Sequence, residues 1–252
     1  MVTNVSLQGK KVLITRPEQQ AKTVCELVEK AGGQAITFPV IDIVPIPPEK
    51  WSQHALSEQN MIIFISRNAV MHFVSELTQP LPEKTLLAAV GAGTADSMRE
   101  KGLRVDIQPP QSTGSEGLLA MPELQLLDDQ NVLIVRGKGG RELLAESLHA
   151  RGANIRYIEV YERSLPSPSA AEYQLALTAN YVVCTSVAGV ENLLRLLQDD
   201  VKALLTKPLV VMSERIKQYA LTQGFHCVEV ADESSDSAVI QRLIEMENSY
   251  GK

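Results

Sequence analysis

Short aliphatic runs alternate with amphipathic stretches along the chain. Lys11-Val12-Leu13-Ile14-Thr15 reads as a buried strand. Pro17 suits the first helical position, and Ala21, Val24, Cys25 and Val28 then recur at helical spacing until Gly32-Gly33. Similar runs at 61–65, 86–90, 131–135, 181–185 and 208–212 are each followed by a helix-like pattern. Repeated βα units of this kind predict an α/β protein, with parallel sheets covered by helices on both faces.

The alternation is itself repeated. Val12-Leu13-Ile14-Thr15-Arg16 matches Val132-Leu133-Ile134-Val135-Arg136, and at the same offset Gly32 meets Gly152, Val40 meets Val160 and Ser66 meets Ser186. Further on, Gly102-Leu103 matches Gly224-Phe225 and Ser112 matches Ser234. The period is far above the roughly 20–50 residues of solenoid repeats, so the pattern predicts duplication of one five-stranded unit. Two segments break the βα rhythm at equivalent places, Ile36 to Pro45 and Ile155 to Tyr161; both are long and rich in β-branched residues. Pro39, Pro45, Pro47 and Pro48 bar the first from helix and from a central strand. These segments are expected as extended connectors between two lobes. The repeat alone is compatible with contiguous lobes and with lobes that exchange their opening strands.

Composition narrows the class. Hydrophobic residues make up 44% of the 252 positions and charged residues 21%, which permits a real core and argues against disorder. No apolar run approaches the roughly 20 residues needed to span a bilayer, and Met1-Val2-Thr3-Asn4 lacks the basic flank of a signal peptide. Cys25, Cys184 and Cys227 have no paired spacing and read as small core hydrophobes in a reducing compartment; the expected location is the cytoplasm. His54, His72, His149 and His226 match no ligand spacing, so no metal is expected. A formal charge of −6 argues against a nucleic-acid surface.

The loops expected at the carboxyl ends of the strands carry the candidate chemistry. They are Ser66-Arg67-Asn68, Gly91-Ala92-Gly93-Thr94, Arg136-Gly137-Lys138-Gly139-Gly140-Arg141 and Ser186-Val187-Ala188-Gly189. Gln111-Ser112-Thr113-Gly114-Ser115-Glu116 opens a further helix, with Thr113 and Glu116 at capping-box spacing. Small residues there let backbone N–H groups face a ligand, and helix dipoles favour negative charge at that end. Gly, Ser and Thr are also ordinary turn and cap residues, but Arg16, Arg67, Arg136, Lys138, Arg141 and Arg215 gather in the same loops. The set points to an anionic ligand. Arg16-Pro17-Glu18-Gln19 is not a dinucleotide fingerprint, and neither a P-loop nor a G-x-S-x-G elbow occurs.

Taken in order, Val12-Leu13-Ile14-Thr15-Arg16-Pro17, Phe64-Ile65-Ser66-Arg67-Asn68-Ala69-Val70, Val90-Gly91-Ala92-Gly93-Thr94-Ala95, Arg136-Gly137-Lys138-Gly139-Gly140-Arg141-Glu142 and Val160-Tyr161 resemble the uroporphyrinogen-III synthases. The resemblance implies two flavodoxin-like lobes joined by a two-stranded antiparallel ladder. Residues 1–38 with 162–252 would form one lobe, 46–154 the other, and 39–45 with 155–161 the ladder, with the active site in the cleft between lobes. It implies as substrate hydroxymethylbilane, a linear tetrapyrrole bearing eight carboxylates, which is dehydrated and closed through a spiro intermediate with ring D inverted. No cofactor is implied. Tyr161 would assist departure of the ring A hydroxyl. Arg16, Ser66, Arg67, Asn68, Gly91, Thr94, Ser115, Arg136, Lys138, Gly139, Gly140, Arg141, Ser186 and Ser213 would bind substrate. No membrane partner is implied; the expected protein is a monomer, in transient contact with the enzyme that supplies hydroxymethylbilane.

One loop departs from the family pattern: Met212-Ser213-Glu214-Arg215-Ile216 stands where many relatives carry Gly and Thr. Ser213 is still expected to cap a helix, while Glu214 would repel a polyanion unless it points away or pairs with Arg215. Two other readings fit parts of the pattern. One is a non-catalytic two-lobed binding protein; the other is a nucleotide-dependent enzyme using the 136–141 loop.

Overall fold

The computed structural model describes residues 6–47, 56–110, 114–140 and 142–250. The chain divides into two compact units, Met1–Asp42 with Ser164–Lys252, and Ile43–Arg163. In chain order the elements are β1 (Lys11–Ile14), α1 (Glu18–Lys30), β2 (Gln34–Thr37), β3 (Asp42–Pro45), β4 (Met61–Phe64), α2 (Arg67–Ser75), β5 (Leu86–Ala89), α3 (Ala92–Glu100) and α4 (Ser115–Leu119). They continue as β6 (Asn131–Gly137), α5 (Leu143–His149), β7 (Asn154–Ser164), α6 (Ala170–Leu177), β8 (Tyr181–Cys184), α7 (Val187–Leu196), α8 (Val201–Leu205), β9 (Leu209–Val211), α9 (Glu214–Thr222), β10 (Val228–Val230) and α10 (Asp236–Tyr250). Among the described residues, no helix is long and apolar enough to cross a membrane.

The first unit holds a sheet of order β10-β9-β8-β1-β2, with parallel pairing throughout. The second holds the order β3-β7-β6-β4-β5, parallel across β7-β6, β6-β4 and β4-β5. An isolated parallel bridge from Ala88 to Ile107 stands beyond β5 where the first sheet has β10. Each sheet therefore joins the first two strands of one repeat copy to the later strands of the other.

The central strands are aliphatic because helices cover both their faces. All residues of β4 and β8 are buried. Each sheet has two apolar layers. In the first unit, Leu13, Val182 and Val211 face one cluster, while Val12, Ile14, Val183 and Val210 face the other. In the second unit, Ile62, Phe64, Leu133 and Val135 face one layer, and Met61, Ile63, Val132 and Ile134 face the other. Among the described residues, each of these clusters is drawn from a single unit.

Local chemistry sets the boundaries. Pro17 is the N-cap of α1, at ψ 141°, so the helix begins one residue later than the sequence pattern predicts. Gly32, at φ +76°, turns the chain after α1, in the left-handed region where a side chain is strained. The helix at 115 has Gly114 as its N-cap, without a side-chain cap; Thr113, expected to form a capping box with Glu116, lies outside the described residues. A complete capping box occurs instead at Ser169 and Glu172, opening α6.

The proline-rich segment breaks where its prolines predict: β2 and β3 are edge strands of different sheets, with Pro39 between them. Residues 155–161 are integral to the second sheet. They form most of β7, which pairs with β6 from Asn131–Asn154 to Gly137–Tyr161 and lies beside β3 on its other side. Ile158 and Val160 are buried in the unit's core, which fixes this strand to its sheet.

Candidate functional site

In each sheet the strand order reverses at one pair, β1 beside β8 and β6 beside β4. Connections from the two members run to opposite sides, leaving a crevice beyond their carboxyl ends where ligands bind in open α/β sheets. Arg16 follows β1 and Ser186 follows β8; in the second unit, Arg136 and Gly137 end β6 and Ser66 follows β4.

The second unit brings the larger group together. Ser66 is the N-cap of α2, and its Oγ accepts from the Ala69 N–H at 3.0 Å. The same Oγ lies 3.3 Å from Tyr161 Oη, and either hydroxyl can donate. Tyr161 is 3% exposed. Its ring centroid stands 5.7 Å from that of His72, on the helix that Ser66 caps, and its carbonyl accepts the Lys138 N–H at 2.8 Å. Burial pulls the His72 imidazole below its usual pKa, against the opposing attraction of Glu76.

Arg67 is exposed and reaches across to the neighbouring loop, where its Nε donates to Gly93 O at 3.1 Å. Gly93 leaves room for this: a Cβ there would come within 2.8 Å of the guanidinium. Asn68 is half-buried in the first turn of α2, Gly91 is the buried N-cap of α3, and Thr94 is buried in that helix's first turn.

Arg136 lies next to this group but is already engaged. It is buried, donates to Glu142 at 2.8 Å and Glu159 at 3.2 Å, and its guanidinium sits 3.7 Å over the ring of Tyr157. Tyr157 in turn donates to Glu142. Burial opposes the Arg136 charge, but the hydrogen bond and attraction of Glu142, with Glu159, outweigh it and hold the pKa above the usual arginine value. Tyr157 is pushed up to about 12, by burial first and then by its bond to Glu142. The bonds from Tyr157 and Arg136 hold the Glu142 carboxyl below its usual range.

Because its folded pKa is depressed, Glu142 contributes stability above its unfolded pKa of about 4.3, and that share disappears as pH falls through the folded value. We expect Glu142→Gln to lower Tm by a few degrees at neutral pH and to show a smaller further drop between about pH 7 and about pH 3 than the wild type. Thermal unfolding at both pH values checks this; equal drops in the two proteins would remove Glu142 from the acid response.

Lys138 is exposed and 3.1 Å from Glu162. Gly139 turns at φ +73°, and Gly140 packs near the Arg136 side chain. Arg141 lies outside the described residues. Ser115 is half-buried at the start of α4, in the connection that follows the Ala88–Ile107 bridge on the β5 side, and is not brought into the Tyr161 group.

The first unit repeats the plan in simpler form. Ser186 caps α7 by accepting from the Gly189 N–H at 2.9 Å, as Ser66 does in α2. Arg16 is paired with Asp236 at 2.5 Å and lies 3.5 Å from the Met212 sulfur. Ser213 occupies the N-cap of α9, but its side chain makes no cap bond, contrary to expectation; Glu214 Oε1 instead accepts from Gln218 within the helix at 2.6 Å.

Sequence reasoning missed His72, Glu142, Tyr157, Glu159 and Asp236. Glu142 stood six residues from Arg136, a spacing with no standard meaning, and Asp236 meets Arg16 across 220 residues. None of these five is marked by a local signal in the sequence.

A family model described as uroporphyrinogen-III synthase HemD matches residues 22–241. The chain is 30% identical to the uroporphyrinogen-III synthase of Escherichia coli K12 over 243 residues, covering 92% of this chain and 99% of that one. It is 31% identical to the enzyme of the same name from Salmonella typhimurium LT2, over the same shares. Among solved structures, uroporphyrinogen-III synthetase from Helicobacter pylori 26695 aligns with a TM-score of 0.68 at 16% identity, covering 94% of this chain and 99% of that one. A mutant uroporphyrinogen III synthase from Thermus thermophilus aligns at 0.62 with 20% identity, covering 94% and 100%. At those identities the structural likeness bears on the fold alone, and it agrees with the two parallel sheets described above. With the family model spanning most of its length, this chain belongs to the uroporphyrinogen-III synthase family.

Proposed function

We infer that the chain is an enzyme that closes hydroxymethylbilane to uroporphyrinogen III, with loss of water and inversion of ring D. The observation that carries this reading is the family match across 22–241. Ring closure with loss of one water is redox-neutral, so positioning and proton delivery are the work required of the protein.

The hydroxyl pair of Tyr161 and Ser66 suits the proton step. Two hydroxyls sharing one hydrogen bond retain one O–H between them, and the Ser66 oxygen is already fixed by Ala69. That remaining O–H is available to the departing ring A hydroxyl, which leaves as water and gives an electrophilic azafulvene. Attack by the substituted carbon of ring D then gives the spiro intermediate, which fragments and recloses inverted. Arg67 is the basic residue of this unit best suited to a substrate carboxylate, because its contact is to a carbonyl and leaves its charge uncompensated by any ion pair among the described residues. Arg16 and Arg136 already face protein carboxylates, so their part in the proposal is to shape their loops. Helix N-termini at Ser66, Gly91 and Ser186 supply further donors. Orientation of this kind lowers barriers by several kcal/mol, without a dedicated nucleophile.

The same reading makes the chain a cytoplasmic monomer that takes its substrate from the enzyme producing it, since hydroxymethylbilane left alone closes without inversion. Product analysis tests the assignment. Supplied with fresh hydroxymethylbilane and no metal or cofactor, the purified protein is expected to yield the type III isomer above the blank. Type I product alone, from a folded sample, would reject the enzyme and favour a two-lobed binding protein.

A further inference from the structure

We propose that Gly137 is a positioning residue for Tyr161, its missing side chain being the space the tyrosine ring occupies. The inference rests on the assignment of Tyr161 to the proton step and extends it to a residue on the neighbouring strand.

Strand alternation would not put Tyr161 where it is. Along β7, Ile158 and Val160 are buried in the unit's core while Tyr157 and Glu159 lie on the other face. Continued alternation would send residue 161 to the Tyr157 side. Instead the register with β6 shifts: Arg136 is opposite Glu159, and Gly137 is opposite Tyr161, leaving Val160 as the extra residue. A bulge of this kind re-aims the side chain that follows it. Val160 and Tyr161 are consequently both buried in the same core layer, and the Tyr161 hydroxyl arrives at Ser66.

The re-aimed ring lies against Gly137. A Cβ on that residue would fall 2.4 Å from Tyr161 Cζ, 2.5 Å from Cε2 and 2.9 Å from Oη. Gly137 is not among the glycines with left-handed φ, so its glycine serves space rather than backbone conformation. The ring has little freedom to yield, being buried, beside His72 and bonded to Ser66. Bulge and glycine together fix where the hydroxyl points.

Gly137→Ala tests this through Tyr161. Displacement of a reacting group by about 1 Å can cost 100-fold, so we expect kcat to fall roughly 10- to 100-fold with KM nearly unchanged. In a Tyr161→Phe background the same substitution is expected to cost less than about threefold, because no hydroxyl remains to misplace. Its loss of Tm should also vanish in a Tyr161→Ala background, where the ring is gone. Wild-type kinetics for Gly137→Ala, or an equal fold-loss with and without the hydroxyl, would overturn the proposal. If Gly137→Ala alone does not fold, recovery of folding with Tyr161→Ala supports the contact and no recovery overturns it. Full activity in Tyr161→Phe alone would sink the reading of Tyr161 itself, and the Tm comparison would then report packing without catalytic consequence.

Discussion

Replacing Tyr161 by Phe is expected to lower kcat about 100-fold while leaving KM within about twofold and the fold intact. The ring stays, so the packing of Tyr161 with Val160, Ile158 and the rest of its core layer is kept. What goes is one hydroxyl, bonded at 3.3 Å to a serine that retains its own cap bond. Loss of such a bond costs about 1 kcal/mol of stability. The effect on rate is larger if that hydroxyl supports the departing water, because its contribution is then realised only as charge develops. A 100-fold loss corresponds to about 2.7 kcal/mol of transition-state stabilisation. We place the effect at the low end of acid–base contributions because Ser66 still carries a hydroxyl at the same strand end. The measurement is type III isomer formation in initial-rate assays, paired with thermal unfolding. A rate within twofold of wild type would leave Tyr161 as a packing residue only.

The α/β class, the strands and the duplication were legible because each is a matter of apolar period and spacing. Val12-Leu13-Ile14 and Val132-Leu133-Ile134 are buried in interior strands of their sheets, as their sequence suggests. Serine after β4 and β8 was legible too, since an N-cap residue announces itself before a helical pattern, and Ser66 and Ser186 make matching cap bonds. Which arginine is engaged was not legible. Arg16 and Arg136 occupy equivalent places in the repeat, yet one is held by Asp236 and the other by Glu142, Glu159 and Tyr157. Those partners come from tertiary neighbours that no local period specifies. The direction of Tyr161 was hidden for a similar reason. Alternation along 155–161 predicts one face, and a single-residue bulge opposite Gly137 selects the other. Ser213 shows the converse: its position at the helix start is as expected, but the side chain does not make the bond its residue type favours.

The division of the chain leads to the other large expected effect. A fragment spanning residues 43–163 should fold and unfold cooperatively, whereas residues 1–122, one full repeat copy, should not. The repeat in the sequence and the units in the structure cut the chain differently. Residues 43–163 contain the β7-β6-β4-β5 core of the second sheet, nearly all of β3, and both apolar layers of that unit. At about 120 residues the fragment lies in the usual size range of an independent domain. The repeat copy instead holds β1 and β2 without β8, and β4 and β5 without β6. Val12, Leu13 and Ile14 would each lose the cover of Tyr181, Val182, Val183 and the layers behind them. At about 1.5–3 kcal/mol for each such side chain left in water, β1 alone forfeits much of the roughly 5–15 kcal/mol that stabilises a typical domain. Strands β1 and β4 would also present unpaired edges, so aggregation is the expected fate of that fragment. Circular dichroism and urea unfolding of the two fragments decide the matter. A cooperative transition for 1–122 and none for 43–163 would show that folding follows the repeat, and that strand exchange between copies is secondary to it.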